Sequence, residues 1–193
     1  MSKQQLIDFI QHILPMPVAK AELISAYFTE IHFAKNDFVL QEGQVSSHSY
    51  FLESGCFRVY SIDVDGNEVS TEFFTAPIIA NDFLSFFKRI PATDNIVALT
   101  NCVCWKISFD DLQICFHTIP EFREFGRMML INNYSRLKQR MLGMVQLTAE
   151  QRYQKLIEVN PELFQQTALK NIASYLGITD TSLSRIRKEL VKK

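Results

Sequence analysis

The chain has 193 residues, of which 47% are hydrophobic, and it carries a formal net charge of −1. This length supplies enough apolar side chains for a sizeable core, divided between one large and one small domain. No segment approaches the roughly 18 to 20 apolar residues that a membrane span requires, and the N-terminus lacks the basic-then-apolar layout of a signal peptide. We therefore expect a cytoplasmic protein with no membrane partner.

Residues 3–28 and 31–108 differ in the period of their apolar side chains. The first segment repeats them at helical spacing, with breaks at Pro15 and Pro17. The second contains short runs rich in Phe, Val, Ile and Tyr, separated by turns such as Asp65-Gly66, which is typical of hairpins. We expect an α+β protein whose N-terminal part is an antiparallel β-roll (jelly roll) with flanking helices. Its strands are predicted near residues 31–34, 38–40, 50–53, 56–61, 67–74, 96–100 and 102–107.

The cysteines do not form the CxxC pairs or the crowded pattern of a disulfide scaffold. Cys102 and Cys104 lie two positions apart in a predicted strand, so their thiols point to one face, where they would suit a metal ion or a redox pair. We favour the simpler interpretation that Cys56, Cys102, Cys104 and Cys115 are reduced and mostly buried, because cysteine often packs as a small apolar residue. No metal site is predicted.

Helical spacing returns after Ser108, with a short helix over residues 109–117 and a long one beyond Pro120. Apolar residues in the long helix recur at intervals of four, three, four and three: Leu130, Tyr134, Leu137, Met141 and Met144. So narrow a stripe is typical of a coiled-coil seam, although an amphipathic helix lying on its own β-roll would also fit. Because the helix is long and has charged flanks, we favour a homodimer interface. The stripe stops near Thr148, where we expect a hinge.

Residues 169–190 carry the strongest local motif. A helix-turn-helix needs a small residue in its first helix, a glycine turn and apolar residues on the facing sides. Ala173 supplies the small residue and Gly177 the turn. The predicted shared core consists of Ile172, Leu176, Ile178, Leu183 and Ile186. Either Thr179 or Asp180 is suited to cap the second helix.

The face of the second helix opposite this core predicts the groups that would enter a DNA groove. The candidate DNA-binding residues are Thr179, Asp180, Thr181, Ser182, Ser184, Arg185 and Lys188. Arg185 suits a bidentate contact to guanine, whereas Lys188, Lys192 and Lys193 suit phosphate contacts. Asp180 would either accept a hydrogen bond from cytosine or only cap the helix. The alternative for the whole motif is a helical hairpin with a solvated basic face.

The charge distribution supports a DNA-binding end on an acidic body. Residues 163–193 hold six Lys/Arg and two acidic residues, a net charge of +4, so the remaining residues carry −5. An enzyme is not predicted and no catalytic residues are assigned, because no GxSxG, HExxH, P-loop or Rossmann motif is present.

The order of these parts resembles the Crp/Fnr superfamily, the catabolite activator-like transcriptional regulators, over essentially the whole chain. The similarity lies in FVLQEGQ (38–44), YFLESGCFRVY (50–60) and DGNE (65–68) of the β-roll, and in ASYLGI (173–178) and LSRIR (183–187) of the C-terminal motif. It implies a cyclic-nucleotide-binding-like sensor domain over residues 1–118, a dimerisation helix over 119–147 and a DNA-binding domain over 148–193. It also implies a homodimer on a palindromic operator in double-stranded DNA, with RNA polymerase and a small-molecule effector as candidate partners. The family's base-contacting positions fall on Asp180, Thr181 and Arg185.

The phosphate cassette of the cyclic-nucleotide-binding members is altered here. Those members have Gly-Glu followed about ten residues later by Arg-Ser or Arg-Thr, because the cyclic phosphate needs a cation. Asn81-Asp82 and Ala92-Thr93 stand at these positions, and Arg89 or Lys88 would reach the site only if the loop is shifted. We place a candidate effector pocket at Asn81, Asp82, Phe83, Ala92 and Thr93, and we expect an effector other than cyclic AMP.

Two further cofactors of the family are not expected either. An iron–sulfur cluster would need cysteines near the N-terminus, and the first cysteine is Cys56. Haem would depend on scattered histidines, namely His12, His32, His48 and His117. The sequence thus predicts a sequence-specific DNA-binding regulator with an unknown effector. The alternative is a small-molecule-binding or protein-interaction module whose C-terminal hairpin does not bind DNA, and the salt dependence of duplex binding separates the two.

Overall fold

Two antiparallel four-stranded sheets form the centre of the N-terminal part in this computed structural model, which describes residues 3–190. The eight strands are β1 (Thr29–Phe33), β2 (Phe38–Leu40), β3 (His48–Ser54), β4 (Cys56–Ile62), β5 (Glu68–Thr75), β6 (Ile78–Ala80), β7 (Asn95–Ala98) and β8 (Cys102–Ser108). One sheet has the order β1-β8-β3-β6 and the other β2-β7-β4-β5.

The core between the two sheets is built from the inward-facing residues of both. Leu52 and Cys104 from one sheet pack in the same buried cluster as Phe57, Phe74 and Ile96 from the other. Neighbouring residues in a strand point to opposite faces. Phe51, next to Leu52, therefore lies in a second core on the outer side of its sheet. Burial on both faces explains why YFL in β3 is a continuous apolar run rather than an alternating pattern.

Five helices accompany the β-roll. They are α1 (Gln4–Ile13), α2 (Val18–Ser25), α3 (Phe83–Lys88), α4 (Phe109–Thr118) and α5 (Pro120–Gln146). The helix α5 begins at Pro120. Proline is tolerated at this position because an N–H in the first turn of a helix has no intrahelical acceptor. Residues from these helices, such as Leu6, Ile24 and Phe122, bury the outer face of the β1-β8-β3-β6 sheet around Phe51 and Trp105.

Four short helices complete the chain as a separate C-terminal head. They are α6 (Ala149–Val159), α7 (Leu163–Gln166), α8 (Leu169–Tyr175) and α9 (Asp180–Leu190). Thr148 begins α6 with a capping box, in which its hydroxyl accepts from the Gln151 N–H and the Gln151 side chain accepts from the Thr148 N–H. The head has a small core of its own, centred on Tyr153, Ile172 and Leu183.

The head lies against the outer face of the other sheet and against α5. The Ser70 N–H donates to the Ser174 hydroxyl over 2.8 Å, and the Tyr175 ring packs edge-on against Phe73 with centroids 5.2 Å apart. Leu163 is fully buried in one cluster with Cys56 and Phe73. The head therefore contacts the β-roll through a hydrogen bond, a ring pair and a buried apolar cluster.

The strand and helix periods predicted the main elements correctly, and the α+β fold is confirmed. All seven predicted strands are present, with ends that differ by a few residues. The sequence does not predict β6 and α3, because elements of three and six residues between Pro77 and Arg89 are too short to establish a period. It does not predict α6 and α7 as individual helices either. Within residues 3–190, no helix is long and apolar enough to traverse a bilayer, and no group of three His, Cys, Asp or Glu side chains is placed to hold a metal ion.

Candidate nucleic-acid interface

Gly177 forms the turn between α8 and α9, as its position in the motif predicts. Its φ is +67°, in the left-handed region that side chains with a Cβ avoid. The Gly177 N–H donates to the Ser174 carbonyl, and the Ile178 N–H donates to the Ala173 carbonyl. This geometry turns α9 back onto α8.

The shared core of the two helices is the one that the sequence predicts. Ile172, Ala173, Leu176, Leu183 and Ile186 are buried together, with Ile178 partly buried against them. Ala173 is fully buried, so a larger residue would push the helices apart. Tyr153 from α6, which the motif does not predict, is buried in the same core.

Thr179 caps α9. Its hydroxyl accepts from the Ser182 N–H at 3.2 Å and donates to the Ser182 hydroxyl at 3.0 Å. Of the two caps that the sequence allowed, the structure therefore selects Thr179. Asp180 is exposed in the first turn of α9, where a carboxylate interacts favourably with the helix dipole.

The face of α9 opposite the core is exposed. Thr181, Ser184, Arg185 and Lys188 all point to solvent. Neither Arg185 nor Lys188 has a hydrogen-bond or ion-pair partner among the described residues, so both cations are available to an external anion. Lys192 and Lys193, expected to contact phosphate, lie outside the described residues.

The predicted seam of α5 is exposed along its whole length. Leu130, Tyr134, Leu137, Met141 and Met144 are each at least 44% exposed. An amphipathic helix that buried this stripe on its own β-roll would hide these side chains, so that alternative does not describe the chain. Met144 also approaches the head, because a Cβ on Gly177 would lie 2.8 Å from the Met144 Cε atom.

Most of the residues proposed for an effector pocket already make contacts within the chain. Asp82 caps α3 by accepting from the Ser85 N–H, and the Asn81 amide donates to the Ser49 hydroxyl. Ala92 is buried and exchanges backbone hydrogen bonds with Gly43 and Gln44. Phe83 packs on Phe87, and Thr93 is exposed. The polar groups of Asn81 and Asp82 are therefore already hydrogen-bonded within the chain.

Arg89, the cation that a shifted loop would bring to the cassette, has other partners. Its guanidinium donates to the Ser46 carbonyl and lies over the Phe109 ring, 4.7 Å from the centroid. Lys88 is exposed. A phosphate at the cassette would therefore have to draw Arg89 away from these contacts.

Two adjoining cavities lie elsewhere, between the head and the rest of the chain. The first, here called the hinge cavity, has a volume of about 150 Å³ and is walled by α5, α6 and the end of α8. The second, called the strand cavity, has a volume of about 440 Å³ and extends to β5 and β6. Neither cavity is predictable from the sequence, because their walls come from segments that are distant in the chain.

The four cysteines are free and buried, as expected from their pattern. Burial raises the pKa of the Cys56 thiol to about 12 and that of Cys115 to about 11, and it also raises the pKa values of Cys102 and Cys104. Since the thiolate is the reactive and metal-binding form, the environment disfavours both kinds of chemistry.

Comparison with known proteins agrees with this architecture. The family model described as "Cyclic nucleotide-binding domain" matches residues 30–118. No curated protein sequence matches the chain significantly.

Solved structures match over most of the chain. The c-di-GMP-responsive global regulator CLP of Xanthomonas campestris has a TM-score of 0.68 at 15% identity, over 91% of this chain and 92% of that one. FixK2 of Bradyrhizobium japonicum has a TM-score of 0.72 at 18% identity, over 86% and 85%. The catabolite activator protein of Thermus thermophilus has a TM-score of 0.58 at 15% identity, over 95% and 86%.

The TM-scores establish that these proteins share the fold of the chain, at sequence identities of 15–18%. The resemblance to catabolite activator-like regulators found in the sequence motifs is thereby confirmed in three dimensions. Residues 30–118 thus match the cyclic nucleotide-binding domain, and the chain has the fold of these three solved structures.

Proposed function

We propose that the chain is a sequence-specific DNA-binding transcriptional regulator that reads a major groove with α9. The observation that carries the proposal is the geometry of the head: a glycine turn and a buried core leave Arg185, Lys188, Thr181 and Ser184 on an exposed face. Arginine suits the two acceptors of guanine, and hydroxyls suit base edges or phosphates. The names of the structurally similar proteins, two of which are regulators or activators, support the same function.

The proposed active form is a homodimer joined along α5. The exposed stripe from Leu130 to Met144 would otherwise leave several large apolar side chains in water, and burying them against a second copy is favourable. Two heads related by a twofold axis would then bind the two halves of a palindromic operator. RNA polymerase remains a candidate partner of such a complex.

The proposed effector is a molecule other than cyclic AMP. The β-roll has the cyclic-nucleotide-binding fold, but Ala92-Thr93 provides no cation at the cassette and Arg89 is bonded to Ser46. Transfer of a phosphate into this site without a cationic partner would be costly.

Selection of bound duplexes from a random pool tests DNA recognition directly. We expect an enriched palindromic sequence, and binding to it should weaken linearly on a log–log plot against salt, because each phosphate contact releases counterions. Recovery of unenriched duplexes, or the lack of any duplex binding at low salt, would instead favour the protein-interaction or small-molecule-binding module.

A further inference from the structure

Four cationic side chains line the hinge cavity. Its walls include Arg136 and Arg140 from α5 and Arg152 and Lys155 from α6, and no acidic side chain lines it. Apolar residues such as Leu147 and Leu156 form the rest of the wall. Its volume of about 150 Å³ is far above the ~10–15 Å³ that a single water needs.

Arg136 alone among these cations forms an ion pair within residues 3–190, and its partner Glu72 also interacts electrostatically with Arg140. The Arg136 guanidinium lies 2.5 Å from a Glu72 carboxylate oxygen. The Arg140 guanidinium donates to the Thr71 and Tyr175 carbonyls and lies over the Tyr175 ring, 4.3 Å from its centroid. Lys155 is exposed, and no hydrogen bond or ion pair of its ammonium group occurs in this part of the chain. Like charges held together in a concave site favour the binding of an anion.

Arg152 completes the arrangement by bonding to the end of α8. Its Nε and Nη2 atoms donate to the Leu176 carbonyl at 3.2 and 3.0 Å, and Nη1 donates to the Leu147 carbonyl at 2.7 Å. The last carbonyls of a helix lack intrahelical donors. Arg140 and Arg152 therefore bind α8 directly before Gly177, through neutral acceptors that an anion would outcompete.

We propose that the hinge cavity binds a small organic anion, a carboxylate or phosphate ester with an apolar part. The anionic group pairs with Arg152, Arg140 and Lys155, and the apolar part lies on Leu147 and Leu156. Binding draws the Arg140 guanidinium from the Tyr175 carbonyl and so loosens the contact between α8 and α5. It also draws Arg152 from the Leu176 carbonyl, a contact between α6 and α8 within the head. The binding site stands independently of DNA recognition; only its effect on DNA affinity rests on the proposed function.

Fluorescence titration with 8-anilinonaphthalene-1-sulfonate, an anion with an aromatic body, tests the site on the full chain. We expect Lys155→Gln and Arg152→Gln each to weaken its binding about tenfold, the loss that follows from one charge-assisted contact of ~1.4 kcal/mol. Lys155→Glu should weaken binding further. The matched control is Lys138→Gln, which removes a cation from the same region of the surface but lies outside the cavity lining.

Competition defines the class of the natural ligand. Hexanoate, benzoate and adenosine monophosphate represent carboxylates and a phosphate ester, and at least one should displace the dye more strongly than inorganic phosphate at equal ionic strength. Equal titrations of the parent, Lys155→Gln and Lys155→Glu proteins would overturn the proposal even if Arg152→Gln fails to fold. Displacement by inorganic phosphate alone, or by no competitor, would also overturn it.

Duplex binding by the same proteins separates this proposal from the proposed function. Charge-dependent dye binding in a protein that binds no duplex would leave the anion site intact and refute DNA recognition. Weaker duplex binding by Lys155→Gln with unchanged dye binding would mean that these cations contact DNA, and would refute the anion site.

Discussion

Arg185 is the single side chain on which the proposed DNA recognition depends most. It lies on the exposed side of α9, and its removal affects neither the core of the head nor the α5 seam. We expect Arg185→Ala to weaken binding to the selected duplex by about 1–3 kcal/mol and to relax base preference at one position in each half-site. Fluorescence anisotropy with matched and mismatched duplexes measures both effects.

Arg187→Ala is the control for this substitution. It removes the same charge from the same helix, about 200° around the axis from Arg185. It should reduce affinity for all duplexes to a similar and smaller extent, without altering sequence preference. If Arg185→Ala keeps the base preference of the parent protein, α9 does not read the bases as proposed.

Gly177 is the residue on which the position of α9 depends. An alanine there would adopt a left-handed conformation, which costs ~1–2 kcal/mol, and its Cβ would lie 2.8 Å from the Met144 Cε atom. We expect Gly177→Ala to destabilise the head by more than Gly66→Ala destabilises the β-roll, because Gly66 has a similar φ but open space around it. Hydrogen exchange of the α8, α9 and β4–β5 amides measures the two effects separately. If Gly177→Ala destabilises the head no more than Gly66→Ala destabilises the β-roll, the Met144 side chain moves aside without an energetic penalty.

At the scale of the element, the proposed dimer depends on the long helix α5. Leu137 is 64% exposed in the single chain and occupies the middle of the seam. We expect Leu137→Asp to give a monomer, because a dimer would have to bury two unpaired carboxylates against each other. Analytical ultracentrifugation measures the mass, and duplex affinity should fall with it. Ser135→Asp introduces the same charge on the opposite side of α5 and should remain dimeric. An undisturbed Leu137→Asp dimer would refute the seam.

The docking of the head on the β-roll is a property of the whole molecule. The reactivity of the Cys56 thiol is a probe of this docking. Cys56 is completely buried in one cluster with Leu163 of α7. Cys104 is equally buried but lies inside the β-roll core. Burial raises the pKa of both thiols, so neither is reactive at neutral pH while the two parts are docked.

We therefore expect Leu163→Ala to increase the rate of Cys56 alkylation and to leave that of Cys104 unchanged. Removing a fully buried leucine costs ~2–5 kcal/mol, a loss that falls on the junction between the head and the β-roll. Mass spectrometry of iodoacetamide-treated protein measures each thiol separately. Equal acceleration of both thiols would mean that the substitution unfolds the chain instead of releasing the head.

Local periods and turn residues allowed much of the fold to be predicted. The strand pattern of residues 31–108, the four-three spacing of α5 and the glycine turn at Gly177 each depend on residues close together in the chain. The same is true of the face of α9, because the positions of Leu183 and Ile186 determine which side of a helix Arg185 occupies. These features follow from backbone geometry that acts over a few residues.

The tertiary structure alone decided how the parts meet. Ser70 and Ser174 are 104 positions apart, and neither residue type nor spacing marks them as partners. The same holds for Arg140 on the Tyr175 carbonyl and for Arg152 on the Leu176 carbonyl. Such contacts form wherever two already folded surfaces bring a donor to an acceptor, so they leave no period in the sequence. The hinge cavity between those surfaces exists only once the chain has folded.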